Sequence, residues 1–298
     1  MSNNKKIIVI TGPTASGKSV LAIHLAKRYN GEIISADSRQ IYKGLKIGSG
    51  AVTKKEMSGI PHHLIGIANP KKTFTVSDYK KLARKELGKI WKRNKLPIMV
   101  GGTGLYIRAV VDGLVIPEVK PNLKLRKELD NKTVAELSQT LKKMDLRRWK
   151  EIDRQNPRRL IRAIEIATIL GKVPKLKTEP LEAETLFLGV KKEGKEFKSK
   201  VQRRVGEMIK AGLVAETQRL VKLGVPEKKM REFGFEYSSA LDFIGGKMGS
   251  KFELSEKITK LTLDYAKRQM TWFKKDGRIQ WVMSSKEALD SARKFLYY

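Results

Sequence analysis

A segment near the start of the chain constrains the fold most strongly. The apolar residues 7–10 predict a buried strand, and after Ser19 leucine and alanine recur at helical spacing. Between them, residues 12–19 read GPTASGKS and fit the pattern G-x-x-x-x-G-K-[ST]. A strand, a glycine-rich loop and a helix N-terminus in this order form a cup of backbone N–H groups that holds phosphate groups. The segment therefore predicts a diphosphate site at the edge of a sheet.

Eight residues form this predicted diphosphate-binding loop: Gly12, Pro13, Thr14, Ala15, Ser16, Gly17, Lys18 and Ser19. In the motif the lysine reaches the outer phosphate oxygens, and the hydroxyl of Ser19 binds Mg²⁺, which we therefore expect as the cofactor. The motif also occurs in ATP-binding kinases and in hydrolases, so by itself it leaves the reaction open. A nucleotide-hydrolysing motor usually carries an Asp after a further apolar strand, whereas residues 101–104 after the strand at 97–100 read GGTG. This difference argues against a motor.

The charge of the chain indicates an acidic partner. Its 298 residues include 63 Lys and Arg against 31 Asp and Glu, so the formal net charge is +32 and the isoelectric point is near 10.2. A general lysine bias of the source proteome would give the same excess. The excess is nevertheless far above the net charge that solubility requires, and it is typical of proteins that bind nucleic acids. We therefore expect a nucleic acid as a partner.

The sequence predicts neither a membrane protein nor a secreted one. No apolar run approaches the roughly 18 residues of a membrane helix, and the apolar stretch at 7–10 is too short for a signal-peptide core. The chain has no cysteine, which excludes disulfides and thiolate metal sites and suits a reducing cytoplasm. We expect a cytoplasmic monomer, since nothing in the sequence requires a dimer.

Strands and helices alternate over residues 1–115. Strands are predicted at 6–10, 32–35 and 97–100, and helices at 19–29, 76–94 and 105–112. This alternation predicts an α/β fold, namely a P-loop NTPase-like parallel sheet flanked by helices. Residues 183–298 are expected to complete this catalytic core, with strands at 185–190 and 279–282 and helices at 195–212, 214–223 and 255–275.

Residues 116–182 have a different character and predict an all-helical insertion domain. Helical patterns occur at 123–129, 134–144 and 158–170. The last helix is well delimited, because Asn156 suits the N-cap, Pro157 the first helical position and Gly171 the position after the end.

Polar segments follow three of the predicted parallel strands, at residues 11–19, 37–40 and 101–104. Because ligands bind beyond the carboxyl ends of the strands in such sheets, these segments should meet in one crevice. There Asp37 can accept a proton or a hydrogen bond from a substrate amine, or it can simply cap the following turn. Gln40 can read the edge of a base, and the Thr103 hydroxyl can contact a ligand.

Three further segments offer metal-binding or phosphate-binding side chains. Adjacent His62 and His63 point in different directions with no other cluster of metal ligands nearby, so a loop role is favoured over a metal site. Residues 153–159 place three arginines near a helix start, where they suit phosphate groups better than helix stability, although a solvated basic face is also possible. Residues 265–274 interleave basic and aromatic side chains on one helix, which fits either a core stripe beneath a basic face or base stacking on RNA.

Taken together, the sequence resembles the tRNA dimethylallyltransferase family, also called tRNA isopentenyltransferases, in the bacterial form. The matching segments, in family order, are residues 12–19 (GPTASGKS), 37–44 (DSRQIYKG), 61–64 (PHHL), 100–106 (VGGTGLY), 156–159 (NPRR) and 266–273 (AKRQMTWF). The resemblance implies transfer of the dimethylallyl group from dimethylallyl diphosphate to N6 of the adenine just 3′ of the tRNA anticodon, position 37 of the tRNA, which gives N6-isopentenyladenosine. It also implies that Asp37 is the general base and that Thr14 and Lys18 act with it in catalysis.

The resemblance further implies that the helical insertion clamps the anticodon stem-loop of tRNA. The residues expected on this ground to contact tRNA are Asp37, Ser38, Arg39, Gln40, Thr103, Arg126, Gln155, Asn156, Pro157, Arg158, Arg159, Lys267, Arg268, Gln269, Thr271, Trp272 and Lys274. The target adenine must leave its stack to react, which costs least in a single-stranded loop.

The chain departs from the family pattern in two places, and three alternative functions stay open. Residues 48–53 read GSGAVT where many members continue with Thr-Ala-Lys-Pro, and Arg39 stands where small or apolar residues are common. An adenylate isopentenyltransferase shares the loop and the Asp but needs no basic surface for RNA. A small-molecule kinase needs a base pocket and a lid with arginines. A non-catalytic RNA-binding protein would keep an unused loop, although Lys18, Ser19 and Asp37 are all intact.

Overall fold

The computed structural model describes residues 5–191 and 194–298, and the chain divides into two compact units. The first unit comprises Met1–Gly113 and Pro180–Tyr298, and the second comprises Leu114–Glu179. These divisions lie within three residues of the borders expected from the sequence, which fall after residues 115 and 182.

Strands and helices alternate along the chain. The first unit begins with β1 (Lys6–Thr11), α1 (Lys18–Arg28), β2 (Gly31–Ser35), α2 (Lys54–Met57), β3 (His62–His63), α3 (Val76–Lys92), β4 (Leu96–Val100) and α4 (Gly104–Val111). The second unit contains β5 (Leu114–Val115), α5 (Leu123–Asp130), α6 (Val134–Met144), α7 (Leu146–Glu151), α8 (Pro157–Leu170) and β6 (Lys177–Thr178). The first unit resumes with β7 (Glu184–Val190), α9 (Gly194–Lys210), α10 (Leu213–Lys222), α11 (Glu227–Glu232), α12 (Phe235–Ile244), α13 (Lys251–Phe273), β8 (Ile279–Val282) and α14 (Ser285–Tyr297).

Six strands of the first unit form one parallel sheet in the order β3-β2-β4-β1-β7-β8. Side chains of β1 alternate between its faces, so Ile7 and Val9 join the core that includes α3, and Ile8 and Ile10 join the core that includes α1. Because helices cover both faces, the inner strand β1 contains a continuous apolar run, residues 7–10. The predicted α/β fold with a parallel sheet flanked by helices is confirmed.

The second unit is mainly helical and has its own core. Leu137 and Leu141 of α6 pack with Leu160 and Ile164 of α8 in this core. The unit also contains a two-stranded antiparallel sheet, in which β5 pairs with β6. This sheet was not predicted, and the second unit is therefore not all-helical as expected; strands of two residues are too short to show a periodic pattern.

Most predicted elements agree with the structure to within a few residues, and the helix at 134–144 and the strand at 279–282 agree at both ends. The prediction of a loop at His62 and His63 is wrong, because these residues form β3, an edge strand that pairs with β2. Among the helices of the described residues, α2, α7 and α11 were not predicted because they have only four to six residues each, too few for periodicity to reveal. The longer helices α12 and α14, with 10 and 13 residues, were also not predicted. In the described parts of the chain, every helix is too short or too polar to cross a lipid bilayer.

Candidate active site

The loop between β1 and α1 has the unusual backbone that a phosphate-binding cup requires. Gly12 has a φ of +142°, and a Cβ atom there would lie 2.6 Å from the carbonyl oxygen of Val190. Gly17, at the N-cap of α1, has a φ of +98°, and Ala15 has a φ of +62°. Left-handed residues in such a turn direct successive N–H groups toward one point, which favours anions. The Ser16 hydroxyl is buried without a hydrogen-bond partner in the described residues, as expected where a ligand completes the loop.

Lys18 is the first residue of α1 and turns back over the loop. Its Nζ donates a hydrogen bond to the carbonyl oxygen of Pro13 at 2.8 Å. The pKa of Lys18 is lowered from 10.5 to about 8, mainly because the pocket removes the ammonium group from water. The nearby Arg204 guanidinium lowers this pKa further, and Asp37 acts in the opposite direction. Binding of a diphosphate anion would relieve the repulsion between these two cations.

Asp37 lies directly beyond the carboxyl end of β2 and lines the same pocket as Thr14 and Lys18. Its Oδ1 accepts hydrogen bonds from the backbone N–H groups of Arg39 at 2.8 Å and Gln40 at 3.3 Å. Its Oδ2 accepts no hydrogen bond from any of the described residues. One carboxylate oxygen therefore caps the turn and the other is available to a ligand, so the two interpretations of Asp37 are compatible.

The glycine-rich turn after β4 is fastened to the segment that carries Asp37. A Cβ atom on Gly101 would lie 2.0 Å from the carbonyl oxygen of Ala36, so only glycine fits there. The Thr103 N–H donates to that same oxygen at 3.2 Å, and the Thr103 hydroxyl accepts a hydrogen bond from the Ser38 N–H at 3.1 Å. The predicted crevice therefore exists, and Thr103 supports the position of Ser38.

Gln269 of α13 joins the glycine-rich turn after β4 to the loop between β1 and α1. Its Oε1 accepts a hydrogen bond from the Thr14 N–H at 2.8 Å, and its Nε2 donates to the carbonyl oxygen of Gly102 at 2.9 Å. The side chain is buried. This differs from the expectation that Gln269 contacts tRNA, because both ends of its amide are already bonded within the protein. Gln40 is similarly held, since its amide accepts from the Ser35 hydroxyl and donates to the carbonyl oxygen of Gly50.

Arg39 fills one wall of the pocket. Its guanidinium forms an ion pair with Glu236 of α12 and packs against the rings of Phe235, at 4.9 Å, and Tyr265, at 5.2 Å. Burial raises the pKa of Glu236 above its usual range, although the Arg39 charge acts in the opposite direction. Arg39 is thus already paired with a carboxylate within the protein, so the tRNA contact expected of it would require Arg39 to share its charge with Glu236.

Helix α9 provides a wall of the pocket that was not predicted from the sequence. Val201, Arg204, Val205 and Met208 line the pocket. Their spacing places them on one face of the helix, with an arginine inside an apolar stripe. Arg204 could have indicated from the sequence that α9 belongs to the site, because a charged residue on a buried helix face usually has a specific partner. Together with Ile33, Val52 and Ile65, these side chains give the pocket an apolar part beside its cations.

The ring nitrogens of the β3 histidines lie close to oxygen atoms of the protein. His63 Nε2 lies 2.7 Å from an oxygen of Glu32, and its Nδ1 lies 3.7 Å from an oxygen of Glu86. His62 Nδ1 lies 2.8 Å from the carbonyl oxygen of Ile60. Within residues 5–191 and 194–298 there is no group of three or more His, Cys, Asp or Glu side chains that could hold a metal ion.

The basic residues of α13 lie on its exposed side. Lys267 and Arg268 are exposed, and the Arg268 guanidinium lies over the Tyr265 ring at 5.7 Å. Trp272 is partly exposed and covers Gly104, where a Cβ atom would lie 2.1 Å from its Nε1. Thr271 and Lys274 are also exposed. These residues remain predicted tRNA contacts.

The remaining predicted tRNA contacts belong to the second unit. Arg126 donates two hydrogen bonds to the buried carboxylate of Glu165, which also accepts from Arg162. Arg126 therefore stabilises the unit whatever else it contacts. The residues Gln155, Pro157, Arg158 and Arg159 are exposed, and Asn156 is partly buried. Asn156 accepts a hydrogen bond from the Arg159 N–H at 3.1 Å, so the predicted N-cap of α8 is confirmed.

Comparison with known proteins gives the family. The family model described as IPP transferase matches residues 40–276, which is most of the chain. The chain belongs to the IPP transferase family. A tRNA dimethylallyltransferase of Caldanaerobacter subterraneus is 39% identical to this IPP transferase family member over 290 residues, with 93% of this chain and 91% of that protein covered. A tRNA dimethylallyltransferase of Staphylococcus aureus is 40% identical over 298 residues, with 95% and 94% covered.

Solved structures of two other proteins share the fold of this IPP transferase family member. The full-length tRNA isopentenylpyrophosphate transferase of Bacillus halodurans superposes with a TM-score of 0.72 at 32% identity, and 98% of this chain and 95% of that chain are covered. A eukaryotic dimethylallyltransferase, described as acting on tRNA, gives a TM-score of 0.77 at 25% identity, with 98% and 79% covered. The protein is therefore a prenyltransferase enzyme, and the predicted family resemblance is confirmed.

Proposed function

We propose that this prenyltransferase transfers the dimethylallyl group of dimethylallyl diphosphate to N6 of the adenine just 3′ of the tRNA anticodon. The observation that carries the proposal is one pocket lined by Lys18, Ser19, Asp37, Arg204 and apolar side chains. The cations and the loop N–H groups suit a diphosphate, the apolar wall suits a short hydrocarbon chain, and the carboxylate suits an amine. The relatives described above are tRNA dimethylallyltransferases, which supports tRNA as the acceptor.

The reaction exchanges one bond to the allylic carbon for another. N6 of the adenine attacks that carbon, the bond from the carbon to the diphosphate oxygen breaks, and N6 loses a proton. In this proposal Asp37 accepts the proton at Oδ2, the oxygen that is not used in the turn. The loop N–H groups, Lys18 and Arg204 bind the negative charge that develops on the departing diphosphate. Thr14 also lines the pocket, and we propose that its hydroxyl bonds a diphosphate oxygen.

Ser19 is the residue that would hold Mg²⁺. Ser19 lines the pocket together with Lys18. A single hydroxyl suits Mg²⁺, because this ion usually combines one or two protein oxygens with phosphate oxygens and several waters. The residues present therefore fit the ion together with a diphosphate, rather than an all-protein site. When bound, Mg²⁺ would neutralise charge on the diphosphate.

We propose that tRNA binds through the exposed basic residues of α13 and of the second unit. Lys267, Arg268, Arg158 and Arg159 are exposed and suit the phosphates of an anticodon stem-loop. Trp272 offers a partly exposed aromatic surface for stacking. The net charge of +32 supports a polyanionic partner.

The decisive experiment follows label from radiolabelled dimethylallyl diphosphate, with Mg²⁺ present. An anticodon stem-loop with an adenine at the target position is one acceptor, and AMP is the parallel acceptor. We expect label on the stem-loop and not on AMP, because a mononucleotide cannot use the basic surface. A stem-loop with guanine at the target position is the matched control, since it lacks the N6 amine.

Each other outcome of this experiment favours a different function. Label on AMP would favour the adenylate isopentenyltransferase alternative. Absence of label on both acceptors, from a folded protein, would contradict the proposed transfer and favour the kinase or the non-catalytic RNA-binding alternative.

RNA affinity should fall steeply with salt. Phosphate contacts release counterions when they form, so even three of them weaken binding more than about tenfold between 50 and 200 mM salt. The measurement is the dissociation constant of a fluorescent anticodon stem-loop across this range. An affinity that does not change with salt would contradict the proposed basic surface.

A further inference from the structure

Glu216 of α10 is a buried carboxylate that binds a loop of the pocket wall, and one of its oxygens also lies 3.8 Å from Nη2 of the exposed Arg219. Its two oxygens accept hydrogen bonds from three consecutive backbone N–H groups, those of Lys46 at 3.1 Å, Ile47 at 3.0 Å and Gly48 at 3.0 Å. The Tyr237 hydroxyl donates a further hydrogen bond at 2.8 Å. Hydrogen bonds to a charged acceptor are roughly twice as strong as neutral ones, so this arrangement holds the loop firmly.

Packing of Gly48 fixes the same loop from the other side. A Cβ atom on Gly48 would lie 2.6 Å from Cζ of Tyr237 and 2.9 Å from Cδ1 of Leu213. The backbone is therefore in direct contact with α10 and with α12. Any movement of the loop toward these helices is blocked, and movement away from them would break the hydrogen bonds to Glu216.

The loop ends at Gly50, and Gly50 supports Arg204. Gly50 has a φ of +58°, and a Cβ atom there would lie 2.0 Å from Nη2 of Arg204. The Gly50 carbonyl oxygen also accepts the hydrogen bond from Gln40. The guanidinium of Arg204 thus lies against a stretch of backbone that has no side chain, at the pocket that also contains Lys18.

We propose that Glu216 is a positioning residue that acts through residues 46–50 on Arg204 and so sets the affinity of the pocket for diphosphate. The inference rests on the proposed function, in which Arg204 binds the departing diphosphate. It assigns a role to the segment after Gly48, where the sequence departs from the family pattern. The absence of a Cβ atom at residue 50 is what allows the guanidinium its observed place.

The first test measures binding of inorganic diphosphate with Mg²⁺ by calorimetry. We expect Glu216→Gln and Arg204→Met each to weaken binding by about tenfold or more, and the double variant to bind no more weakly than Arg204→Met, because residues that act through one another are not additive. Glu136→Gln is the control, since this glutamate accepts the N–H of Thr133 in the capping box of α6. Additive losses, or wild-type affinity in Glu216→Gln, would overturn the proposal.

The second test leaves Glu216 intact. Gly50→Ala should also weaken diphosphate binding, because its methyl group would occupy the place of the Arg204 guanidinium. Gly59→Ala is its matched control, since Gly59 has a φ of +78° and a methyl group added there would meet no atom of the described residues within 4 Å beyond its own chain neighbours. The two variants share the backbone strain, so only the first should lose affinity. Equal affinities for Gly50→Ala and Gly59→Ala would overturn the role given to Gly50. If Glu216→Gln does not fold, the comparison of Gly50→Ala with Gly59→Ala still tests the proposal.

Transfer kinetics separate this proposal from the proposed function. In Glu216→Gln we expect the KM for dimethylallyl diphosphate to rise and the KM for the RNA to stay unchanged. A general loss of structure would instead lower the thermal midpoint and leave the KM for dimethylallyl diphosphate unchanged. If the wild type and its variants bind diphosphate as expected but the wild type transfers no label, the proposed function fails and the positioning role stands. If the wild type transfers label but Glu216→Gln binds diphosphate normally, only the positioning role fails. A wild type that does not bind diphosphate would overturn both.

Discussion

Asp37→Asn is expected to lower the rate of dimethylallyl transfer by about 10² to 10⁴, the range that a general base contributes. Asparagine keeps an oxygen that can accept the N–H groups of Arg39 and Gln40, so the turn should survive. It cannot accept the proton that N6 loses, and it carries no charge. The measurement is single-turnover transfer to the anticodon stem-loop with both substrates saturating.

Two comparisons make this result specific to the proton transfer. Stem-loop affinity should stay close to that of the wild type in Asp37→Asn, because most RNA contacts are with phosphates. Asp37→Ala removes the cap as well as the base, so its transfer should be at least as slow and its thermal midpoint lower than that of Asp37→Asn. Wild-type rates in Asp37→Asn would exclude Asp37 as the base.

Lys18→Met is expected to lower transfer by about 10² to 10³, the usual effect of losing one group that stabilises charge in the transition state. Methionine keeps most of the length and apolar volume of lysine and removes the charge. Because the same charge binds diphosphate before reaction, the KM for dimethylallyl diphosphate should rise as well, and RNA affinity should change little. A variant with normal transfer would show that the loop N–H groups and Arg204 suffice.

The same substitution should raise the free energy of unfolding near neutral pH. The fold lowers the pKa of Lys18 from 10.5 to about 8, so it disfavours the charged form. Between these pH values the unfolded chain binds more protons than the native one, and the stability of the wild type therefore increases with pH there. Lys18→Met has no buried charge at this position. Its gain in the free energy of unfolding over the wild type is therefore largest below about pH 8 and disappears toward pH 10.5. This gain in the free energy of unfolding is at most about 3 kcal/mol, and it is smaller where water enters the pocket and screens the charge.

Urea unfolding of both proteins across this pH range measures the difference. Lys5→Met is the control, because Lys5 is an exposed lysine outside the pocket. A stability difference for Lys18→Met that is independent of pH would contradict a buried charge at Lys18. A gain in stability together with a loss of transfer would show that the enzyme keeps this charge for its function at the expense of its fold.

Local patterns were sufficient for a large part of the fold. The strand at β1, the loop and helix α1 follow each other within residues 6–28, and each has a signal in its own residues. The same holds for α6, whose predicted bounds agree with the structure. The pattern failed at β3, because a two-residue edge strand is defined by its partner β2 and not by periodicity.

The candidate site divides in the same way. Lys18, Asp37 and Thr103 could be predicted, because each lies in a segment that follows a strand of a parallel sheet, and such strand ends meet at one edge. The structure then brought them to one pocket or beside it. The bonds of Gln269 to Thr14 and Gly102 could not be predicted, because nothing near residue 269 in the sequence specifies a partner that far away along the chain.

The loop between β1 and α1, the parallel α/β sheet and a carboxylate at the edge of that sheet could all be predicted without the structure, because they depend on short-range backbone geometry and on local apolar periodicity. Three contacts became visible only in the folded protein: Arg204 reaches the pocket, Glu216 holds the loop at 46–48, and Arg39 pairs with Glu236. Helical periodicity shows which face of a helix is buried but not which other element that face meets. That choice depends on the packing of helices α9, α10 and α12 in the first unit, and packing is a property of the whole fold.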